Sequence, residues 1–289
     1  MEKYQNKTGF SISQNYYRNS ENLRALIKKA NFTEDDIVID IGAGKGVITK
    51  EILNYSNNVV AIEPDRELFQ TLKNNLQDKK VKFLNIDFDK YILPNSSFKT
   101  FSNIPFSKTA EILNKLLSRG SKLEKGYIFL QSEARNKYCG EQVGFKNTML
   151  SIIYGVRYRF RIAHSFDKRD FIPMPNVNID LLEIIKRDEG EISISDFELF
   201  EDFVSYIFNR SNPNIYACRN IISEKQFDRF ARDINLKKKS KPTDLLIADF
   251  VHIFNVISMT EKIDIFRGYY RQMKREQSKI IKQNRTRAF

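Results

Sequence analysis

Short continuous apolar runs alternate with amphipathic stretches through the first two-thirds of the chain. Ile37-Val38-Ile39-Asp40-Ile41 and Val59-Val60-Ala61-Ile62 read as strands buried on both faces, the pattern of a parallel sheet. Val47 through Leu53 has helical spacing, and Val81-Lys82-Phe83-Leu84-Asn85-Ile86 reads as a third strand. Upstream, a polar lead-in over residues 1–19 gives way to Leu23, Leu26 and Ile27 at helical spacing, with Ser20 placed to cap that helix. Val156 to Ile162 alternates apolar positions with Arg157, Arg159 and Arg161, which predicts a strand with one basic face. Val177 to Leu182 reads as the last strand. Such alternation predicts a mainly parallel sheet with helices on both sides.

The pattern changes after Lys186. Arg187-Asp188-Glu189-Gly190-Glu191 is a charged break, and beyond it the periodicity is helical. Ser195 and Glu198 have capping-box spacing ahead of Phe197, Phe200, Val204, Ile207 and Phe208. Thr243 is expected to open another helix carrying Leu246, Phe250 and Phe254. The expected organisation is therefore an α/β domain over residues 1–186 and a smaller all-helical domain over residues 187–289.

Three clusters on the first domain carry chemistry. Gly42-Ala43-Gly44-Lys45-Gly46 follows the first strand, and Glu63 stands at the carboxyl end of the next. Glycines let backbone approach a ligand closely, and an acid at that strand tip can accept ribose hydroxyls. The spacing is G-x-G-x-G, neither the G-x-G-x-x-G of dinucleotide binders nor a P-loop. Asp87, just after the third strand, can accept from an adenine amine. Asn103-Ile104-Pro105-Phe106 gathers a side-chain carbonyl, a backbone carbonyl, a turn stiffened by proline and an aromatic face.

Net charge is +12, which suits a polyanionic partner. From Arg267 onward the chain holds eight lysines and arginines against the single acid Glu276, and Lys237-Lys238-Lys239-Ser240-Lys241 is a second basic run. With 23 Phe, 13 Tyr and no Trp, the core is expected to be phenylalanine-rich. Cys139 and Cys218 lack metal spacing and read as free thiols in a reducing compartment, and no metal is expected. His164 and His252 stand alone and read as packing or surface residues. The absence of a signal peptide or an apolar run of about 18 residues points to a cytoplasmic protein with no membrane partner.

Taken in order over residues 10–185, these motifs resemble the rRNA adenine-N6 methyltransferases, the family of the Erm macrolide-resistance enzymes and of the ribosome-assembly dimethyladenosine transferases. Gln14-Asn15-Tyr16 resembles the N-terminal motif that closes over the cofactor. Asp40 to Gly46, including Gly42 and Gly44, resembles the glycine loop. Glu63 and Asp87 match the ribose and adenine contacts, and Asn103 to Phe106 matches the catalytic N-[IL]-P-[YF] turn, with Asn103 also beside the cofactor. Leu130 to Ala134 resembles the strand-to-helix segment. Phe171-Ile172-Pro173-Met174-Pro175-Asn176-Val177 resembles the segment whose phenylalanine lines the target-base pocket.

The resemblance implies a Rossmann-like sheet with an antiparallel final strand, S-adenosyl-L-methionine as cofactor and a helical C-terminal rRNA-binding domain. It departs from the common pattern at Ser102, where glycine is frequent, at Phe106, where tyrosine is commoner, and at Asn176, where a basic residue is frequent. Lys168-Arg169-Asp170-Phe171 and the basic C-terminus look more like the resistance enzymes, which act on one adenine of 23S rRNA. A monomer acting on free or pre-ribosomal RNA is expected. The alternatives are a small-subunit dimethyladenosine transferase, a DNA adenine methyltransferase and a non-catalytic RNA-binding protein.

Overall fold

The computed structural model describes residues 16–17, 19–77, 80–188, 190–208, 215–237, 240–258 and 261–286. In chain order its elements are β1 (Tyr16–Tyr17), α1 (Ser20–Ala30), β2 (Ile37–Ile41), α2 (Val47–Ile52), β3 (Asn58–Ile62), α3 (Arg66–Asn75), β4 (Val81–Leu84), β5 (Phe98–Ser102), α4 (Thr109–Leu116), β6 (Leu123–Gln131), α5 (Ser132–Cys139), α6 (Met149–Gly155), β7 (Tyr158–Phe166), β8 (Phe171–Ile172) and β9 (Ile179–Lys186). Helices follow from there: α7 (Phe197–Phe208), α8 (Glu224–Asp233), α9 (Ile247–Ile257) and α10 (Tyr269–Thr286). The chain forms two compact units, Met1–Arg135 with Arg161–Lys186, and Asn136–Phe160 with Arg187–Phe289.

The seven-stranded sheet has the order β4-β3-β2-β5-β6-β9-β7. β4, β3, β2, β5 and β6 run parallel, with Ile37–Ile41 in unbroken register against Asn58–Ile62. β9 is antiparallel to β6, from Lys125↔Ile185 to Gln131↔Ile179, as the resemblance implied. Strand order reverses between β2 and β5: the chain moves outward through β3 and β4, then returns to the other side of β2. In an open α/β sheet, ligands bind beyond the strand carboxyl ends at that switch point. Here the glycine loop leaves β2 and the Asn103 turn leaves β5.

Apolar side chains on α1 and the inner strands form the core of the first unit, including Leu23, Ile27, Val38, Ala61, Phe101 and Phe129. The first helix begins one residue earlier than its sequence predicts. Asn19, not Ser20, is the cap, with the Asn19 side chain accepting the Asn22 amide at 3.0 Å. β7 starts at Tyr158, so Arg157 lies outside the strand and its guanidinium stacks 4.8 Å over the Phe197 ring, whereas Arg159 and Arg161 are exposed on it.

The second unit has the expected phenylalanine-rich core. Phe200 meets Phe254 edge-on at 5.2 Å, and Phe203 lies 6.3 Å from Phe250. Two helix starts differ from those the spacing predicts. Ser195 does not cap α7; Ser193 instead forms a short turn, accepting the Asp196 amide at 3.1 Å. Thr243 falls in a 3₁₀ turn, and Leu246 precedes α9 and is exposed, because Asp249 holds the Leu246 amide and turns its side chain outward. Asp202 on α7 accepts the Gly268 and Tyr270 amides at 2.7 and 2.9 Å, supplying from another helix the cap that α10 lacks in its own sequence. Both cysteines are buried free thiols.

Candidate active site

Positive φ at three glycines shapes the loop after β2: 71° at Gly42, 56° at Gly44 and 87° at Gly46. Other residues adopt that region at a cost, which is why the loop needs glycine there. Gly46 is doubly fixed, since a Cβ would lie 2.7 Å from a Leu72 methyl group. The Gly42 and Ala43 amides donate to the Ile62 carbonyl at 2.9 and 3.0 Å, stitching the loop to the end of β3. A pocket opens above it, lined by Gly42 to Lys45, Val47, Ile48, Leu23, Tyr17 and Asn103.

Glu63, the expected ribose acceptor, also holds the loop. Its carboxylate accepts the Gly44 amide at 2.8 Å on Oε2 and the Asp65 amide at 3.0 Å on Oε1. Asn85 donates to the Glu63 and Pro64 carbonyls at 2.8 and 3.1 Å, clamping the same turn from the end of β4. Asp87 follows at the start of a 3₁₀ turn, and its Oδ1 accepts from Lys108 Nζ at 2.5 Å.

Asp40 is a site group that motif spacing alone does not single out, although it stands in the glycine motif. It is fully buried, accepts from the Thr49 hydroxyl at 2.6 Å on Oδ2, and has no partner for Oδ1 among the described residues. Burial, and secondarily the Glu63 charge, push its carboxyl up to about 7. A buried oxygen with no partner is costly unless a ligand or water meets it. The pocket itself is lined by Gly42 and Gly44, whose backbone a nucleoside-bearing cofactor can approach closely.

Ser102 has a reason of its own. Its hydroxyl accepts the Ile41 amide at 2.9 Å and lies 3.0 Å from the Thr100 hydroxyl, tying the carboxyl end of β5 to β2 one residue before Gly42. Glycine there would leave the buried Ile41 amide without that acceptor. The adjoining Asn103 is half-buried at the pocket wall, Ile104 is buried, and Pro105 has φ −61°. Phe106 opens the following 3₁₀ turn and packs half-buried against the core cluster.

The structure draws two distant motifs together. β1 pairs antiparallel with β8, placing Tyr17 opposite Phe171 and Tyr16 opposite Ile172. Gln14 and Asn15 lie outside the described residues. The resemblance has Phe171 lining a base pocket, but its ring is 2% exposed, enclosed by Tyr17, Phe166 and Phe129 at 5.2, 5.6 and 6.2 Å. Packing around the two-stranded ladder buries it. Tyr17 is the ring of this cluster that lines the pocket above the glycine loop, and its hydroxyl accepts from Asn22 at 2.7 Å. Asn22 in turn meets His164 Nε2 at 3.3 Å, so that histidine joins the site's supports. No residue pattern foretells Tyr17, since its role comes from pairing with Phe171, far along the chain.

A family model described as "Ribosomal RNA adenine dimethylase" matches residues 5–259. A "Ribosomal RNA small subunit methyltransferase A" from Francisella tularensis subsp. tularensis (strain SCHU S4 / Schu 4) is 25% identical over 264 residues, 89% of this chain and all of the relative. The protein of that name from subsp. novicida (strain U112) is 26% identical over the same length. Among solved structures, the fold is similar to that of the 23S rRNA methyltransferase ErmE (TM-score 0.76, 19% identity, 85% of this chain and 100% of that one). It is also similar to a dimethyladenosine transferase from Plasmodium falciparum (TM-score 0.68, 16% identity, 84% and 97%).

Proposed function

We propose that this chain, which belongs to the ribosomal RNA adenine dimethylase family, methylates N6 of an adenine in the peptidyl-transferase loop of 23S rRNA, and so confers resistance to macrolide, lincosamide and streptogramin B antibiotics. Membership makes it an S-adenosylmethionine-dependent rRNA adenine-N6 methyltransferase. The cofactor, when bound, supplies an electrophilic methyl group on a sulfonium.

The observation that carries the chemistry is Asn103, which opens the Asn103–Phe106 turn at the carboxyl end of β5 and lines one pocket with the glycine loop of β2. An exocyclic purine amine is a poor nucleophile because its lone pair is delocalised into the ring. In our reading the Asn103 carboxamide oxygen and the Ile104 carbonyl accept its two N–H groups and aim the nitrogen. Phe106 offers a face to the extruded base, and base stacking on an aromatic ring is worth about 1–3 kcal/mol. Phe171 acts from behind, holding Tyr17 at the pocket. Gly42, Gly44, Glu63 and Asp87 hold the cofactor, and the resemblance adds Gln14 and Asn15 to that set. Positioning then supplies much of the rate, and no strong general base is needed.

Support for the 23S target comes from Lys168-Arg169-Asp170-Phe171 and from the cationic face of α10. Arg271, Lys274, Arg275 and Lys279 line one groove there, suited to an RNA backbone. On this reading residues 1–186 carry the chemistry, residues 187–289 bind rRNA, and the protein works as a cytoplasmic monomer. No helix among the described residues is long and apolar enough to cross a membrane. A second reading, a small-subunit dimethyladenosine transferase, is favoured by similarity over 89% of this chain to the Francisella proteins named ribosomal RNA small subunit methyltransferase A. Labelled methyl transfer to naked 23S rRNA, 16S rRNA and duplex DNA separates the readings. Label in 16S rRNA alone, with no change in macrolide sensitivity on expression, would overturn the first.

A further inference from the structure

Two lysines leave the Asn103 turn and grip the loop that carries Asp87. Lys108 ends the 3₁₀ turn begun by Phe106, and its ammonium donates to Asp87 Oδ1 at 2.5 Å. Lys115, two turns along α4, donates to the Phe88 and Asp89 carbonyls at 2.7 and 2.8 Å, with its Nζ 5.0 Å from the Phe88 ring centroid. One lysine thus holds the side chain of this loop and the other its backbone. Both come from the segment that presents Asn103 and Phe106.

We infer that Lys108 is a positioning residue for the cofactor's adenine, acting through Asp87; this rests on the reading of Asp87 as the acceptor for that amine. A carboxylate on a short side chain can turn about its Cβ–Cγ bond. An ammonium fixed on Oδ1 restrains that rotation and leaves Oδ2 as the acceptor for another donor. A carboxylate paired in this way can only accept, which suits a 6-amino purine and not a 6-oxo purine. The bond to Asp87 holds the Lys108 ammonium above the usual lysine range, so the lysine stays charged at any working pH. Both side chains are about one-third exposed (32% and 33%), so removing one need not unfold the chain.

Calorimetry on the full chain tests this, with S-adenosylhomocysteine and its inosine counterpart as probes. Lys108→Met should lose about tenfold in affinity for the adenine compound. Lys108→Arg should recover most of it. In an Asp87→Asn background, Lys108→Met should add nothing, because the lysine acts only through the carboxylate. Losses that simply add, or an unchanged Lys108→Met, overturn the inference. Lys108→Gln, read the same way, keeps the test open if the methionine variant melts early. A parent chain that binds both probes equally would sink the Asp87 assignment itself, whereas normal discrimination with an indifferent Lys108 sinks this inference alone.

Discussion

Asp40 in the first unit and Glu201 in the second are both carboxyl groups pushed up to about 7, chiefly by burial, and their surroundings give them different meanings. Asp40 sits under the glycine loop with one oxygen unpartnered, at the carboxyl edge of a parallel sheet. Glu201 lies on α7 beside Asp202, which raises it, with the Arg157 and Lys274 charges lowering it. Around it the Tyr154 and Tyr270 hydroxyls bond each other, and burial pushes both upward, Tyr270 to about 12. That is a support for docking α10, next to the cap that Asp202 provides. A perturbed carboxyl suggests a functional site only where a pocket and an unpaired atom come with it.

The largest test removes the amine-holding group. Asn103→Ala should cut methyl transfer about a hundredfold or more, since misplacing a reacting atom costs that much. RNA affinity should stay near the parent's, and equal turnover would break the division of labour between the units. In the second unit, Asp202→Ala strands two amides at the start of α10 and should cost about 1–3 kcal/mol in urea unfolding, with S-adenosylhomocysteine binding unaltered.

The pH dependence compares the two carboxyls directly. Each folded-state value lies above its ordinary one (3.8 for Asp40, 4.5 for Glu201), so the folded chain holds the proton more tightly. The stabilisation is complete below the ordinary value and is lost as pH rises through about 7. Asp40→Asn and Glu201→Gln should each flatten the decline in stability between pH 4 and 8, taken as roughly the span of these shifts. Saturating S-adenosylhomocysteine should change the Asp40 contribution and leave that of Glu201; a ligand effect on both or neither would dissolve the distinction.

Smaller effects belong to the surface. Replacing Arg275 and Lys279 by alanine should lower the salt slope of rRNA binding by roughly 0.7–0.9 for each phosphate no longer neutralised, without changing which nucleotide is modified. Identical slopes would mark that face of α10 as merely solvated. Smallest of all, Phe106→Tyr keeps the stacking face and should turn over like the parent, whereas Phe106→Ala should not; a tolerated alanine would show that stacking at this position is not needed.

Elements and motifs whose information is local can be read from the residues without a structure. Continuous apolar runs make β2 and β3 legible, glycine spacing marks the loop, and the order of motifs identifies the family. Helix starts are less legible, because caps compete over one or two residues: Asn19 displaces Ser20, and Asp202 caps α10 from 66 positions away. It took the assembled fold to show that Phe171 is enclosed while Tyr17 meets the pocket, that Glu63 grips Gly44, that Ser102 carries the Ile41 amide, and that Lys108 meets Asp87. The last three bonds join residues 19 or more positions apart, where no periodicity links them. Their partners are chosen by strand order and packing, so the chemistry of those side chains can be assigned only once the sheet has brought them together.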